Sequence, residues 1–222
     1  MYPNNSDITT VSASESGAAG KSASPANLKD CEEAARQPNA VFVNVYDILK
    51  FNSWLWSVGI GVHHVGIQVY DAEYQFGRCD EGSGVRVVEP RHSSPHIFRE
   101  QFYVGQTQLS AVAVQELVSS FAQSDTWLGS RYHLVKHNCI HFAHAFCEAL
   151  LPPNVRVAQM RTALPSIYQC AYMEEVEVDA QRYSLPVLIP PHVDRLSNYA
   201  ASYLPESVLQ MLDSMDNSFI VP

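Results

Sequence analysis

The sequence predicts an α+β fold in which a small antiparallel β-sheet or barrel packs against helices. Two observations carry that expectation. Short β-branched and aromatic runs follow one another at residues 41–48, 63–70, 72–76 and 85–89, separated by turn signals. Two later segments, 109–121 and 139–150, repeat apolar residues at helical spacing instead.

The first strand is VFVNVYDI, residues 41–48, β-branched and aromatic enough to read as buried. Leu49 to Gly61 mixes Trp54 and Trp56 with glycines and reads as a loop over apolar surface. HHVGIQVY, residues 63–70, alternates: Val65, Ile67 and Val69 share one face, while His64, Gly66 and Gln68 share the other. AEYQF and VRVVE, joined by GRCDEGSG, form a hairpin with a long loop, and an antiparallel meander is the simplest arrangement.

Val114, Leu117, Val118 and Phe121 then mark one side of an amphipathic helix. In HNCIHFAHAFCEALLPP, Asn138 is the N-cap, Phe142, Phe146 and Leu150 form the apolar stripe, and the proline pair ends the helix. Cys139 therefore falls in the first turn. Beyond Pro153 the pattern weakens. Glu174 to Asp179 is an acidic cluster expected to be solvated, and a short helix is expected near 206–215.

The 222-residue chain has 46% hydrophobic and 17% charged residues, the profile of a globular domain. Residues 1–38, rich in Ser, Ala, Asn and Gly, cannot offset the entropy of ordering and are expected to form a disordered tail. A net charge of −9 with scattered Lys and Arg disfavours a nucleic-acid binder. Five cysteines without a regular framework fit a reducing compartment, so the cytoplasm is expected, with the nucleus also open. No run is long enough to span a bilayer and no signal pattern opens the chain.

A cysteine in a helix's first turn sits where unpaired N–H groups and the dipole favour the thiolate, and the same N–H groups can hold an oxyanion. Such a nucleophile needs a base, and nine histidines offer one. Spacing alone does not choose among them, and buried inert thiols are common; Cys147 and Cys170 are read that way. His137, Cys139, His141, His144 and Cys147 also have metal-ligand chemistry, but on a helix they do not converge on one tetrahedral centre, and no metal or cofactor is expected.

VNVYD (43–47), HVGIQV (64–69), EYQFG (73–77), GVRVVEP (84–90) and YHLVKHNCIHF (132–142) together resemble the PPPDE peptidases, a family of permuted papain-fold peptidases that includes the desumoylating isopeptidases. The resemblance implies a papain-like fold in which the histidine strand precedes the cysteine helix. It implies His64 and Cys139 as the catalytic pair, His63 being the neighbouring alternative. It implies hydrolysis of isopeptide bonds to ubiquitin or a SUMO-like modifier through a thioester acyl-enzyme. A protein S-acyl thioesterase with the same dyad is the rival enzyme, and a non-catalytic modifier-binding adaptor the rival of another class. Self-association into a homodimer is left open.

By the same resemblance, 39–153 is the catalytic core, 154–188 an insertion and 189–222 a C-terminal extension. Ile140 replaces a polar residue common after the cysteine, and His192 stands where a Trp is usual. Gly66 is compatible with close approach of a substrate backbone, and Trp54, Trp56 and Tyr74 are candidates to line the approach.

Overall fold

The computed structural model describes residues 33–48, 63–161, 173–193 and 207. The expected Trp54 and Trp56 loop, most of the N-terminal tail and most of the helix near 206–215 lie outside them. Five strands, β1 (Ala40–Asp47), β2 (His63–Val69), β3 (Ala72–Phe76), β4 (Val85–Val88) and β5 (Ile97–Gln106), form one antiparallel sheet in the order β4-β3-β2-β1-β5. The meander of β1 to β4 is as the alternation predicts. The sheet is open rather than a barrel: β4 and β5 are its two edges and do not pair.

β5 is a strand the sequence reading did not identify. Its pairing with β1 steps from Gly105 to Tyr103 and from Glu100 to Phe98, skipping Val104 and Arg99. Each bulge reverses which face the following residues take, so IFREQFYVGQ shows no period of two to read.

The two faces of the sheet differ in chemistry. On one, Val41, Val43, Val45, Val65, Ile67, Val69, Tyr74 and Phe76 are buried. Against them lies helix α2 (Cys139–Leu150), with Phe146 on Tyr74 at 5.3 Å between ring centroids and Phe142 on Phe76 at 6.0 Å. Helix α1 (Ala111–Gln123), capped by Ser110 on Ala113 N–H, adds Val114, Val118 and Phe121 to the same core. Phe142, Phe146 and Leu150 are essentially inaccessible, and burying each stabilises by about 1.5–3 kcal/mol. Apolar contact thus sets where α2 docks.

On the other face Asn44, Tyr46, His64, Gln68, Glu73 and Gln75 come together, following from the register Asn44 with Gly66, Gly66 with Gln75 and Gln68 with Glu73. The segment 89–96, which carries the chain from edge strand β4 across to edge strand β5, runs over this polar face. Arg91 N–H donates to Glu73 at 2.9 Å and Ser93 Oγ donates to Gln75 at 2.9 Å.

The proline pair both ends α2 and starts helix α3 (Pro153–Arg161), Pro being suited to a first turn. The acidic stretch is the first strand of a hairpin, β6 (Met173–Val178) and β7 (Gln181–Pro186), turned through Asp179 and Ala180 at positive φ. Arg156 of α3, largely buried, ties the hairpin down through Glu174 at 2.6 Å and the Pro186 carbonyl. No helix among the described residues is long and apolar enough to cross a membrane.

Gly66 is required by this packing. A Cβ placed there would lie 1.9 Å from Glu73 Oε1 and 2.9 Å from Gln75 Cγ. Gly66→Ala is therefore expected to lose about 1–3 kcal/mol of stability in urea denaturation. A variant as stable as the parent would show that Glu73 does not occupy that space.

Candidate active site

Cys139 is the first residue of α2, and the local sequence explains why the helix starts there. Asn138 is extended and its Oδ1 accepts from the N–H of Ile140 at 3.0 Å and of His141 at 3.2 Å, while Asn138 N–H donates back to His141 Nδ1 at 3.4 Å. The Asn138 amide also donates to the Leu134 carbonyl at 2.6 Å, fixing the cap against the preceding turn. The Cys139 thiol is buried and lies 3.9 Å from the carbonyl oxygen of His63, in hydrogen-bonding direction. It thus meets β2 at its first residue, one position from His64.

His64 is buried and its ring belongs to the polar face. Its Nε2 lies 3.1 Å from Gln75 Oε1, and its ring lies 4.8 Å from that of His96 on the crossing segment. Among the described contacts no hydrogen bond joins this ring to the Cys139 thiol. The helix N-terminus and the start of β2 meet at the His63 carbonyl, with the thiol on the α2 side of the sheet and the His64 ring on the polar side.

His63 faces the α2 side. Its Nδ1 is 3.4 Å from Asp47 Oδ1, at ion-pair distance but not aligned as a hydrogen bond. Burial lowers its pKa and Asp47 opposes that shift. Asp47 is also held by Arg99 at 3.1 Å.

Behind His64 is a buried carboxylate. Glu73 accepts from Asn44 Nδ2 at 2.5 Å, from Tyr46 OH at 2.8 and 2.7 Å, from Gln75 Nε2 at 2.6 Å and from Arg91 N–H at 2.9 Å. Burial, then the bond to Glu73, pushes the Tyr46 phenol well above its ordinary pKa and keeps it a donor. Asn44 extends the network to Gln68 and Gln101. The sequence reading passed over Glu73 and Gln75. The available signal was two polar residues of one parity in β3, which the register sets beside Gly66 and His64.

Other candidates resolve differently. The space beside Gly66 is filled by Glu73 rather than left for a substrate. Tyr74 is core, against Phe146. Ile140 is buried in the same core. His192 keeps an aromatic's role by meeting Phe102 edge-on at 5.6 Å. In the His- and Cys-rich stretch, His137 stacks on Trp127, His141 serves the N-cap and Cys147 is sealed in the core with its thiol pushed far up by burial. The side chains go to separate places, and the described residues hold no cluster able to bind a metal.

A cleft of about 110 Å3 opens at His64, lined by Gln75, Arg86, Ser93, His96 and Tyr132 among others. A larger surface cavity of about 610 Å3, bordered by Pro38, Tyr70, Gln106, Ser110 and Gln159, contains none of the candidate residues. The smaller cleft holds His64 but is not lined by Cys139.

The chain matches the family described as "PPPDE putative peptidase domain" over residues 39–185. It is similar to a desumoylating isopeptidase 1 homolog of Caenorhabditis elegans, 28% identical over 181 residues, covering 77% of this chain and 51% of that protein. It is also similar to a DeSI-like protein of Arabidopsis thaliana, 30% identical over 175 residues, covering 68% of this chain and 76% of that protein. A DeSI-like protein of Schizosaccharomyces pombe is 27% identical over 138 residues. The match thus spans about half the length of the nematode relative.

Burial lowers the pKa of His64 to about 4, the Gln75 bond opposing and Arg86 reinforcing the shift. His96 is lowered to about 3, by burial and then by His64. A group with a lowered folded pKa binds fewer protons in the native state between that value and its unfolded value of 6.5. Stability is therefore full above the unfolded value and declines as pH falls through the window toward 4. His64 alone accounts for roughly 3 kcal/mol of that loss. Urea denaturation at pH 7 and near pH 4 should show it, and His64→Gln should flatten the decline.

Proposed function

Because the chain belongs to the PPPDE peptidase family, we propose that it is a cysteine isopeptidase that removes ubiquitin or a SUMO-like modifier from other proteins, with Cys139 as nucleophile and His64 as base. One observation carries the proposal: the thiol at the first position of an N-capped helix meets the first residue of β2 at its backbone carbonyl, one position from the buried, neutral His64. The printed name of the nematode relative supports the choice of modifier.

In this mechanism the Cys139 proton passes to His64 as sulfur attacks the carbonyl carbon of the modifier's C-terminal residue. The N–H of Cys139 helps to hold the oxyanion. Collapse of the tetrahedral species breaks the isopeptide bond, and His64 returns the proton to the departing lysine amine. Water then attacks the thioester with His64 as base, releasing the modifier and restoring the thiol. No metal or cofactor takes part. The catalytic core spans residues 39–153, and the reaction takes place in the cytoplasm.

Electrophilic probes built on ubiquitin, on a SUMO-like modifier and on a fatty acyl chain test this. Covalent capture by one modifier probe is expected, abolished in Cys139→Ala and slowed on the order of 100-fold in His64→Ala. His63→Ala should label within a few-fold of the parent, because the contact to the thiol is the His63 main-chain carbonyl. Capture by the acyl probe alone would make the protein a thioesterase, and no capture by any probe would make it a modifier-binding adaptor.

A further inference from the structure

We infer that Gln75 is a positioning residue for His64: its side-chain amide, oriented by Glu73, holds the imidazole proton on Nε2 and leaves Nδ1 as the nitrogen that takes the thiol proton. The inference rests on the proposed role of His64 as base.

The argument begins at Glu73. A carboxylate only accepts hydrogen bonds, so the Gln75 atom 2.6 Å from Glu73 Oε1 is the NH2 end. The carbonyl end, Oε1, is therefore the end turned toward Ser93 Oγ at 2.9 Å and His64 Nε2 at 3.1 Å. A hydroxyl can serve that oxygen only as donor, and a ring nitrogen can serve it only through N–H. His64 is neutral at physiological pH, because burial lowers its pKa, and a neutral imidazole has one N–H. That proton sits on Nε2, and the lone pair is on Nδ1. Among the described contacts Nδ1 has no hydrogen-bond partner.

The chain of constraint is rigid at each link. Glu73 cannot rotate, because four groups from β1, β3 and the crossing segment donate to it. Gln75 cannot flip its amide without facing its carbonyl oxygen to that carboxylate. His64 cannot exchange tautomers without losing its bond to Gln75 in a site where an unpaired polar group is costly. A base whose proton sat on Nδ1 would present N–H, not a lone pair, to an approaching thiol. The rings of Tyr46, at 6.1 Å, and His96, at 4.8 Å, flank the imidazole.

The test uses the full chain, labelled with 15N in histidine, and long-range proton–nitrogen spectra at pH 7. His64, assigned by its loss in His64→Gln, is expected to show a protonated Nε2 and an unprotonated Nδ1. A signal from protonated Nδ1, or from the cation, would overturn the inference whatever the enzyme hydrolyses. Gln75→Leu, similar in volume, should give a mixture of tautomers and lower kcat by about 10- to 100-fold with KM little changed. Glu73→Gln, which frees the Gln75 amide to turn, should also mix the tautomers. An unaltered His64 spectrum and unaltered kcat in Gln75→Leu would equally overturn it. Failure of the isopeptidase reading shows separately, as full turnover in His64→Ala or no turnover in the parent, while the tautomer measurement stands on its own.

Discussion

A carboxylate with no access to water sits near the centre of this sheet, and much of the surrounding sequence is explained by its needs. Leaving a buried carboxylate short of donors is far more destabilising than losing an ordinary hydrogen bond, because the group keeps its full desolvation penalty. Glu73 meets that demand with Asn44, Tyr46 and Gln75 from three positions on two strands, and with the Arg91 N–H from the segment that crosses from β4 to β5. The same carboxylate occupies the volume a side chain would take at position 66, which is why a glycine stands mid-strand there. It also pins the crossing segment to the sheet. That segment in turn brings Ser93 and His96 to the cleft at His64.

The division of the sheet into an apolar and a polar face distributes the candidate chemistry. Dispersion and burial on one face position α2 and therefore the first-turn thiol of Cys139. Hydrogen bonds on the other face position His64. β2 belongs to both, since its period of two sends His63, Val65 and Ile67 one way and His64, Gly66 and Gln68 the other. Apolar packing tolerates small shifts, whereas a donor and acceptor at 3 Å do not. The fold thus fixes His64 more tightly than the Cys139 thiol, and the two faces come nearest at the start of β2, where the His63 carbonyl touches the thiol.

What was legible in the sequence was what local pattern encodes. The alternation of residues 63–69 gave the faces of β2, Asn138 marked the start of α2, and helical spacing in 109–121 gave α1. β5 was illegible because two bulges break its period, and β6 because MEEVEV alternates glutamate with valine and reads equally well as a solvated charged stretch. Whether a meander closes into a barrel depends on whether its edge strands meet, which no local window contains. The Cys139 helix was readable from its cap, but the pairing with His64 came only through resemblance, since 75 residues separate them. Gln75 and Glu73 were invisible for a related reason: their meaning lies in a cross-strand register, and a lone glutamate in a strand looks like an exposed one.

The electrostatics of His64 decide between two ways of activating the thiol on the proposed mechanism. Papain-like sites can rest as a thiolate–imidazolium pair, which requires the imidazolium to be the weaker acid or the pair to be strongly attracted. Here the imidazole is lowered to about 4 by burial. For a thiol of ordinary acidity, near ~8.5, moving its proton to such a ring is uphill by about 6 kcal/mol. A helix N-terminus returns only about 0.3–2 kcal/mol of that, and two more hydrogen bonds to the charged forms would still leave the balance close to even. Burial of the ring thus shifts the balance toward thiol and neutral imidazole, with proton transfer coupled to attack on the substrate carbonyl in the proposed mechanism. A neutral ring with a fixed proton needs its tautomer set in advance, whereas a cation with two N–H groups does not. That is the situation in which a glutamine clamped by a buried glutamate has a chemical reason to be there.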